Sequence, residues 1–220
     1  METAMSAVGV PGWFGKLPGL GDFASRRLPE DFRSAWDRWL QFGLLDLRAN
    51  HNDWTQRYLQ APLWCFVLGR GAVDDRFWLG AMMPSVDAVG RYFPLTVAVE
   101  LDAGWVELRG DALARAERWW TLAARAMVDA LEHDLDAEHF ERLLHQLFER
   151  AAFMPPPQVD DAAALAMPDL GKSLWFTDPA GTGGEGASAG EGMMCQGLPL
   201  EDRFEALFGY GDSVPPEDTP

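Results

Sequence analysis

The 220-residue chain is 48% hydrophobic, contains ten tryptophans and has a net charge of −16, the composition of a globular domain with a heavily aromatic interior. The excess negative charge is concentrated after residue 110: 11 basic against 13 acidic side chains before that point, 7 against 21 after it. Nucleic acid and anionic membrane are thereby disfavoured as partners, because neutralising phosphates takes clustered Lys and Arg; a basic protein patch is the natural complement.

In chain order, "GWFGK" (12–16) reads as a short strand. The segment "LPEDFRSAWDRWLQFGLLDLRAN" (28–50) reads as a helix: Pro29 suits its first turn, and Glu30 and Asp31 complement the positive end of the helix dipole. Phe32, Trp36, Trp39, Leu40, Leu44 and Leu47 recur at steps of three and four and predict one buried face. A shorter helix follows over "NDWTQRYLQ", with Asn52 or Asp53 as its cap. The period then changes. "LWCFVLG" (63–69), "RFWLGAMM" (76–83) and "RYFPLTVAVEL" (91–101) are apolar runs bounded by Gly, Asp and Pro, and predict three strands of a largely buried sheet.

From residue 111 the helical period returns, with Leu113, Ala116, Trp120, Ala123, Met127 and Leu131 on one face to about residue 134. Asp136 caps a further helix carrying Phe140, Leu143, Leu144, Leu147, Phe148 and Ala151 inward, and "PPP" (155–157) ends it. "KSLWFT" (172–177) predicts another strand, the Gly-rich "PAGTGGEGASAGEG" a mobile loop, and "PLEDRFEALF" a closing helix. Helices on both sides of a strand cluster imply an α/β layered sandwich. The expected organisation is a flexible N-terminus (1–10), one α/β domain (11–209) and a flexible acidic tail (210–220).

Cys65 and Cys195 lie 130 positions apart and have neither redox nor metal spacing. The first ten residues lack a signal-peptide pattern, and the longest apolar run, "APLWCFVLG", falls short of the roughly 20 residues of a membrane span. These features predict a cytoplasmic protein without membrane insertion.

Three enzyme signatures occur in outline and fail on context. "GASAG" (186–190) satisfies G-x-S-x-G, but His51, His133, His139 and His145 all precede Ser188, against the order of that hydrolase class. "GLGDFA" (19–24) satisfies G-x-G-x-x-A, yet Lys16, Leu17 and Pro18 separate it from the strand and Pro29 starts the helix too late for a dinucleotide site. A phosphate loop at Gly15-Lys16 fails because Val10 and Leu17 stand where glycine and Ser/Thr are required. His139 and His145 are six positions apart, about 240° around a helix, and cannot share a ligand face. No cofactor, metal or catalytic residue is assigned. A more informative stretch is "MPSVDAVGRYFP" (83–94), which brings Ser85, Asp87 and Arg91 into one connection shaped by Gly90 and Pro94. Asp87 satisfying turn amides and Arg91 pairing with Asp87 or Asp22 is one reading; partner contact and a catalytic base are the others.

"GWFGKLPGLGDF" (12–23) and "MPSVDAVGRYFPLTV" (83–97), with "WDRWL", "APLWCF", "SLWF" (173–176) and "GLPLEDRFEALF" (197–208), resemble the hallmark blocks of the TagF family, associated with type VI secretion in Gram-negative bacteria. The resemblance runs from about residue 11 to residue 209. It implies a three-layer αβα sandwich and a cytoplasmic, post-translational negative regulator that binds and sequesters the forkhead-associated scaffold protein of the secretion system. Some relatives carry a fused serine/threonine phosphatase; no such domain is expected here, and the function implied is non-catalytic. The motif residues fall on Gly12, Trp13, Gly15, Lys16, Pro18, Gly21, Asp22 and Phe23, and on Pro84, Ser85, Asp87, Gly90, Arg91, Phe93 and Pro94. The expectation is that the two blocks, distant in the chain, lie side by side as one partner-binding surface, with Lys16, Asp22 and Arg91 as a polar cluster extended by Arg26, Arg27 and Arg33. The alternative is a small hydrolase or ligand-sensing protein using Ser85, Asp87 and Arg91, its pocket beside Trp13 and Arg91.

Overall fold

A computed structural model describes residues 9–101, 107–155, 164–177 and 192–210. In chain order its elements are β1 (Gly12–Gly15), β2 (Ala24–Arg26), α1 (Glu30–Asn50), α2 (Trp54–Gln60), β3 (Trp64–Leu68), β4 (Phe77–Met83), β5 (Leu95–Leu101), β6 (Glu107–Arg109), α3 (Gly110–Glu132), α4 (Ala137–Ala152), β7 (Ala164–Ala166), β8 (Lys172–Phe176), β9 (Met193–Gln196) and α5 (Asp202–Ala206). Seven strands form one sheet in the order β2-β1-β5-β4-β3-β8-β9, every neighbouring pair antiparallel. β6 and β7 pair separately. The chain is thus a mixed α/β protein built on a large antiparallel sheet.

Alternate side chains of a strand leave on opposite faces, and here both faces are covered. Cys65 and Val67 of β3 join an apolar cluster with Trp120, Met127, Phe140 and Leu144 of α3 and α4. Phe66 and Leu68 join the other cluster, with Phe32, Trp36, Trp39 and Leu40 of α1 and Phe204 of α5. Burial on both sides explains why the three central strands read as continuous apolar runs although they are antiparallel.

All six apolar positions predicted for α1 are buried. Trp36 is the hub of that face. Its ring centroid lies 5.2 Å from Phe32, 4.7 Å from Trp39 and 4.9 Å from Phe66, and its indole N–H donates to Thr96 Oγ1 at 2.9 Å. On the opposite face Trp120 donates to the Gly80 carbonyl at 2.9 Å. Gly80 itself leaves room for the Phe66 ring, which a Cβ there would overlap.

Several local expectations shift. Pro29 occupies the cap position of α1, one residue before the helix. Asp53 stands at the cap of α2, but its carboxylate accepts from Arg57 and Tyr210 in place of the first-turn amides. The third predicted strand starts at Leu95, because Pro94 cannot join a ladder and Tyr92 makes only an isolated bridge to Val86. Asp136 caps α4 as predicted, accepting from the His139 amide at 2.9 Å. β2, β6, β7 and β9 are short strands that apolar periodicity did not announce. The Gly-rich segment with "GASAG", and both termini, lie outside the described residues. Among the described residues no helix is long and apolar enough to cross a membrane.

Trp36→Ala removes a fully buried ring and orphans the Thr96 hydroxyl. It is expected to lower unfolding stability by about 3–5 kcal/mol, readable as a reduced denaturation midpoint with unchanged slope.

Candidate functional site

The first block is a β-hairpin. β1 pairs antiparallel with β2, Trp13 opposite Arg26 and Gly15 opposite Ala24, and residues 16–23 form the connecting loop. "GLGDFA" therefore leads from strand to antiparallel strand, not into a helix, and has no amide-lined helix end for a pyrophosphate. Gly15 has φ +138, and a Cβ there would overlap the Pro94 carbonyl oxygen, so only glycine lets β1 turn into the loop against the second block.

The second block, between β4 and β5, folds as its own tight loop. The Asp87 amide donates to the Arg91 carbonyl at 3.1 Å, the Phe93 amide to the Ser85 carbonyl at 3.1 Å, and Gly90, with φ +82, closes the turn by donating to the Asp87 carbonyl at 2.9 Å.

The two loops meet. Lys16 Nζ lies 2.6 Å from Asp87 Oδ2, and Arg91 Nε donates to the same oxygen at 2.7 Å. Asp87 Oδ1 accepts from the Arg91 amide at 2.9 Å and the Val89 amide at 3.1 Å. Backbone links join the loops as well: Ser85 Oγ donates to the Lys16 carbonyl at 2.8 Å, the Ala88 amide to the Leu20 carbonyl at 3.1 Å, and the Arg91 guanidinium to the Gly21 carbonyl. Phe23 covers the pair, its ring centroid 4.8 Å from Lys16 Nζ and 4.7 Å from Phe93. Tyr58 of α2 braces the loop from behind, donating to the Ser85 carbonyl at 2.9 Å and accepting from the Ser85 amide at 3.0 Å. Burial pushes the Tyr58 phenol far up, so its proton stays in place as a donor.

Burial alone would raise the Asp87 carboxyl, but hydrogen bonds from Lys16, from the Arg91 amide and guanidinium and from the Val89 amide outweigh it and hold Asp87 well below the usual carboxylate range. Its charge is fully compensated inside the protein.

Exposure sorts the twelve sequence-predicted residues. Gly12, Trp13, Lys16, Ser85, Asp87 and Pro94 are buried, Pro18 is half-buried, and Gly21, Asp22, Phe23, Gly90 and Arg91 are exposed. Three expectations are corrected. Lys16, 3% exposed, is an internal counter-ion and offers no charge to a partner. Asp22 stays outside the polar cluster, its Oδ1 accepting from the Phe23 amide at 2.8 Å. Trp13 does not line a pocket with Arg91: its ring packs edge-on against Phe140 and its N–H donates to Glu141 Oε2 at 2.9 Å. Arg27 also binds Glu141, and Arg33 pairs with Glu30, which leaves Arg26, over the Trp13 ring at 5.9 Å, as the one of the three with no ion pair among the described residues.

Tyr58, Glu141 and Val89 belong to this neighbourhood and were missed. Tyr58 and Glu141 reside on helices, where apolar or charged spacing says nothing about which loop a polar tip will meet. The four histidines pair with acids or carbonyls other than those around Ser85: His51 with Glu205, His133 with the Asp129 carbonyl, His139 with Asp136, and His145 with Glu141 and Glu149. None is a base for Ser85. Among the described residues, Asp129, Glu132 and His133 at the end of α3 bring three potential metal-ligating atoms within 4.8 Å of one another, exposed or half-exposed on the surface.

Breaking a buried pair leaves one charge uncompensated, so Asp87→Asn is expected to lower stability by about 3–5 kcal/mol. The carboxyl titrates lower in the folded than in the unfolded chain, so its contribution is complete above about pH 4 and is lost as pH falls further. Denaturation midpoints of the wild type should therefore drop more steeply from pH 5 to pH 3 than those of Asp87→Asn; parallel profiles would show that Asp87 carries no such coupling.

No curated protein sequence is significantly similar to the chain. Among solved structures, it is similar to the crystal structure of PA0076 from Pseudomonas aeruginosa PAO1, with a TM-score of 0.67 and 29% identity over 93% of this chain and 97% of that one. Residues 12–147, which contain both loops and the bracing residues Tyr58 and Glu141, match the TagF N-terminal domain, described as type VI secretion system-associated. With most of its length matched, the chain belongs to the TagF N-terminal domain family of type VI secretion-associated proteins.

Proposed function

We propose that this protein is a non-catalytic, cytoplasmic negative regulator of type VI secretion that works by binding and sequestering the system's forkhead-associated scaffold protein. The reading rests on family membership together with one structural observation: the chemistry-bearing groups buried where the two motif loops meet are engaged inside the protein. Lys16, Asp87 and the Ser85 hydroxyl are paired with one another or with backbone, which leaves none of these three free as a nucleophile or base. The side chains that reach solvent include Phe23, Val89, Arg91 and Asp22, the kind that make contacts. An aromatic, an aliphatic and a guanidinium set on a rigid base suit a docking surface, because little conformational entropy is lost on binding. The scaffold partner and the inhibitory direction come from the family resemblance; the surface assigned to them is the exposed rim of the two loops. The acidic second half of the chain favours partners with a basic patch and disfavours acidic ones.

Val89 is 67% exposed, so Val89→Asp should leave folding untouched. Combined with Asp22→Lys, it is expected to reduce capture of the scaffold in co-purification at least about tenfold, the scale of a hot-spot loss. Undiminished capture would place the interface elsewhere. Ser85→Ala removes one buried hydrogen bond and is expected to lower stability by about 1 kcal/mol while repression persists; loss of repression by this folded variant would instead support the hydrolase reading.

A further inference from the structure

Helix α1 carries an outer stripe as well as its buried one. Ala35, Arg38, Phe42, Asp46 and Ala49 fall within about 80° of one another at 100° per residue, beside the buried face and bordering Trp39. The stripe is self-complementary about Phe42: an alanine stands seven residues away on each side, and opposite charges stand four residues away on each side, Arg38 before and Asp46 after. Phe42 is 63% exposed, and Leu45 and Leu200 beside it are 59% and 65% exposed. Neighbouring polar groups on α1 are satisfied within the chain, Arg33 by Glu30 and Asp37 by Gln41. Arg38 and Asp46 have no hydrogen bond or ion pair among the described residues. Four residues of the stripe, Ala35, Arg38, Phe42 and Asp46, also line a groove of about 450 Å³ between α1 and the loop that precedes α5.

We propose that the outer face of α1 is the isologous interface of a homodimer, the two helices crossing antiparallel at a two-fold axis near Phe42. An antiparallel crossing there sets Arg38 of each copy opposite Asp46 of the other, roughly 6 Å along the helix on either side of the axis. Ala35 of each copy then meets Ala49 of the other, where small side chains let the backbones approach. Arg38, Phe42 and Asp46 form one i±4 row, the ridge that packs into the matching groove of a facing helix. An occupant other than a second copy would have no need of a stripe whose charges invert about its centre; a two-fold interface requires that inversion, because each residue i that meets j is also a j that meets i. The apolar area is small, so the dimer belongs to the weak, low-area class of assemblies.

Sedimentation velocity of the full chain from about 5 to about 500 µM spans that class. The sedimentation coefficient is expected to rise with concentration toward the dimer value. Arg38→Asp alone, or Asp46→Arg alone, opposes like charges across the axis and should weaken association at least about tenfold. The double variant Arg38→Asp/Asp46→Arg rebuilds both pairs in reverse and should restore it. Phe42→Ser should leave the chain monomeric throughout with an unchanged unfolding midpoint. A monomer at the highest concentration, association indifferent to either single reversal, or failure of the double variant to recover would each overturn the proposal. Scaffold capture by the loop rim is a separate measurement, and neither result decides the other.

Discussion

A single buried carboxylate holds the motif region together. Asp87 sits between two loops that are 71 positions apart in the chain at their point of contact, and both of its oxygens are filled, one by Lys16 and Arg91, the other by two backbone amides. An ion in a low-dielectric setting is tolerated only when its partners are complete. That requirement dictates the surroundings: Gly15 must turn tightly against Pro94 to deliver Lys16, Gly90 must close the loop that presents the amides, and Phe23 must shield the pair from water. The carboxylate thus ties the two loops to each other through both of its oxygens.

The same economy of polar groups runs through the aromatic core. Trp36, Trp39, Trp64 and Trp120 each donate their indole N–H to a hydroxyl or carbonyl, at Thr96, Pro199, Leu207 and Gly80. Each ring thus fills a large apolar volume and also fixes its position relative to a particular strand or loop. Trp13 does this between the hairpin and α4 through Glu141, which Arg27 binds as well. The two motif loops are consequently braced from separate helices, the hairpin by Glu141 of α4 and the β4–β5 loop by Tyr58 of α2.

Two faces of the molecule are set apart for different tasks in this view. The loop rim combines exposed apolar groups with a satisfied polar interior, as a hetero-partner site would. The outer stripe of α1 combines an exposed aromatic with oppositely signed charges at equal spacing that have no partner among the described residues, as a two-fold contact would. The physical difference lies in where charges find their partners: within the chain at the loops, across an axis on α1.

Local sequence determined the elements whose burial repeats with a clear period. The inward face of α1, the apolar runs of β3, β4 and β8, and the Asp136 cap of α4 follow from residue spacing and side-chain chemistry alone, because helix and strand geometry decide them within a few residues. Short strands such as β2 and β9 had no such signature; they are strands only because a neighbouring strand supplies their hydrogen bonds. The motif blocks were legible as unusual, and their meeting was an inference from that character. Whether Lys16 faced a partner or the interior was decided by Asp87, reaching it from the second loop, and by Phe23 at the far end of its own. Burial is a property of the assembled layers, and no stretch of chain holds the information that another will cover it.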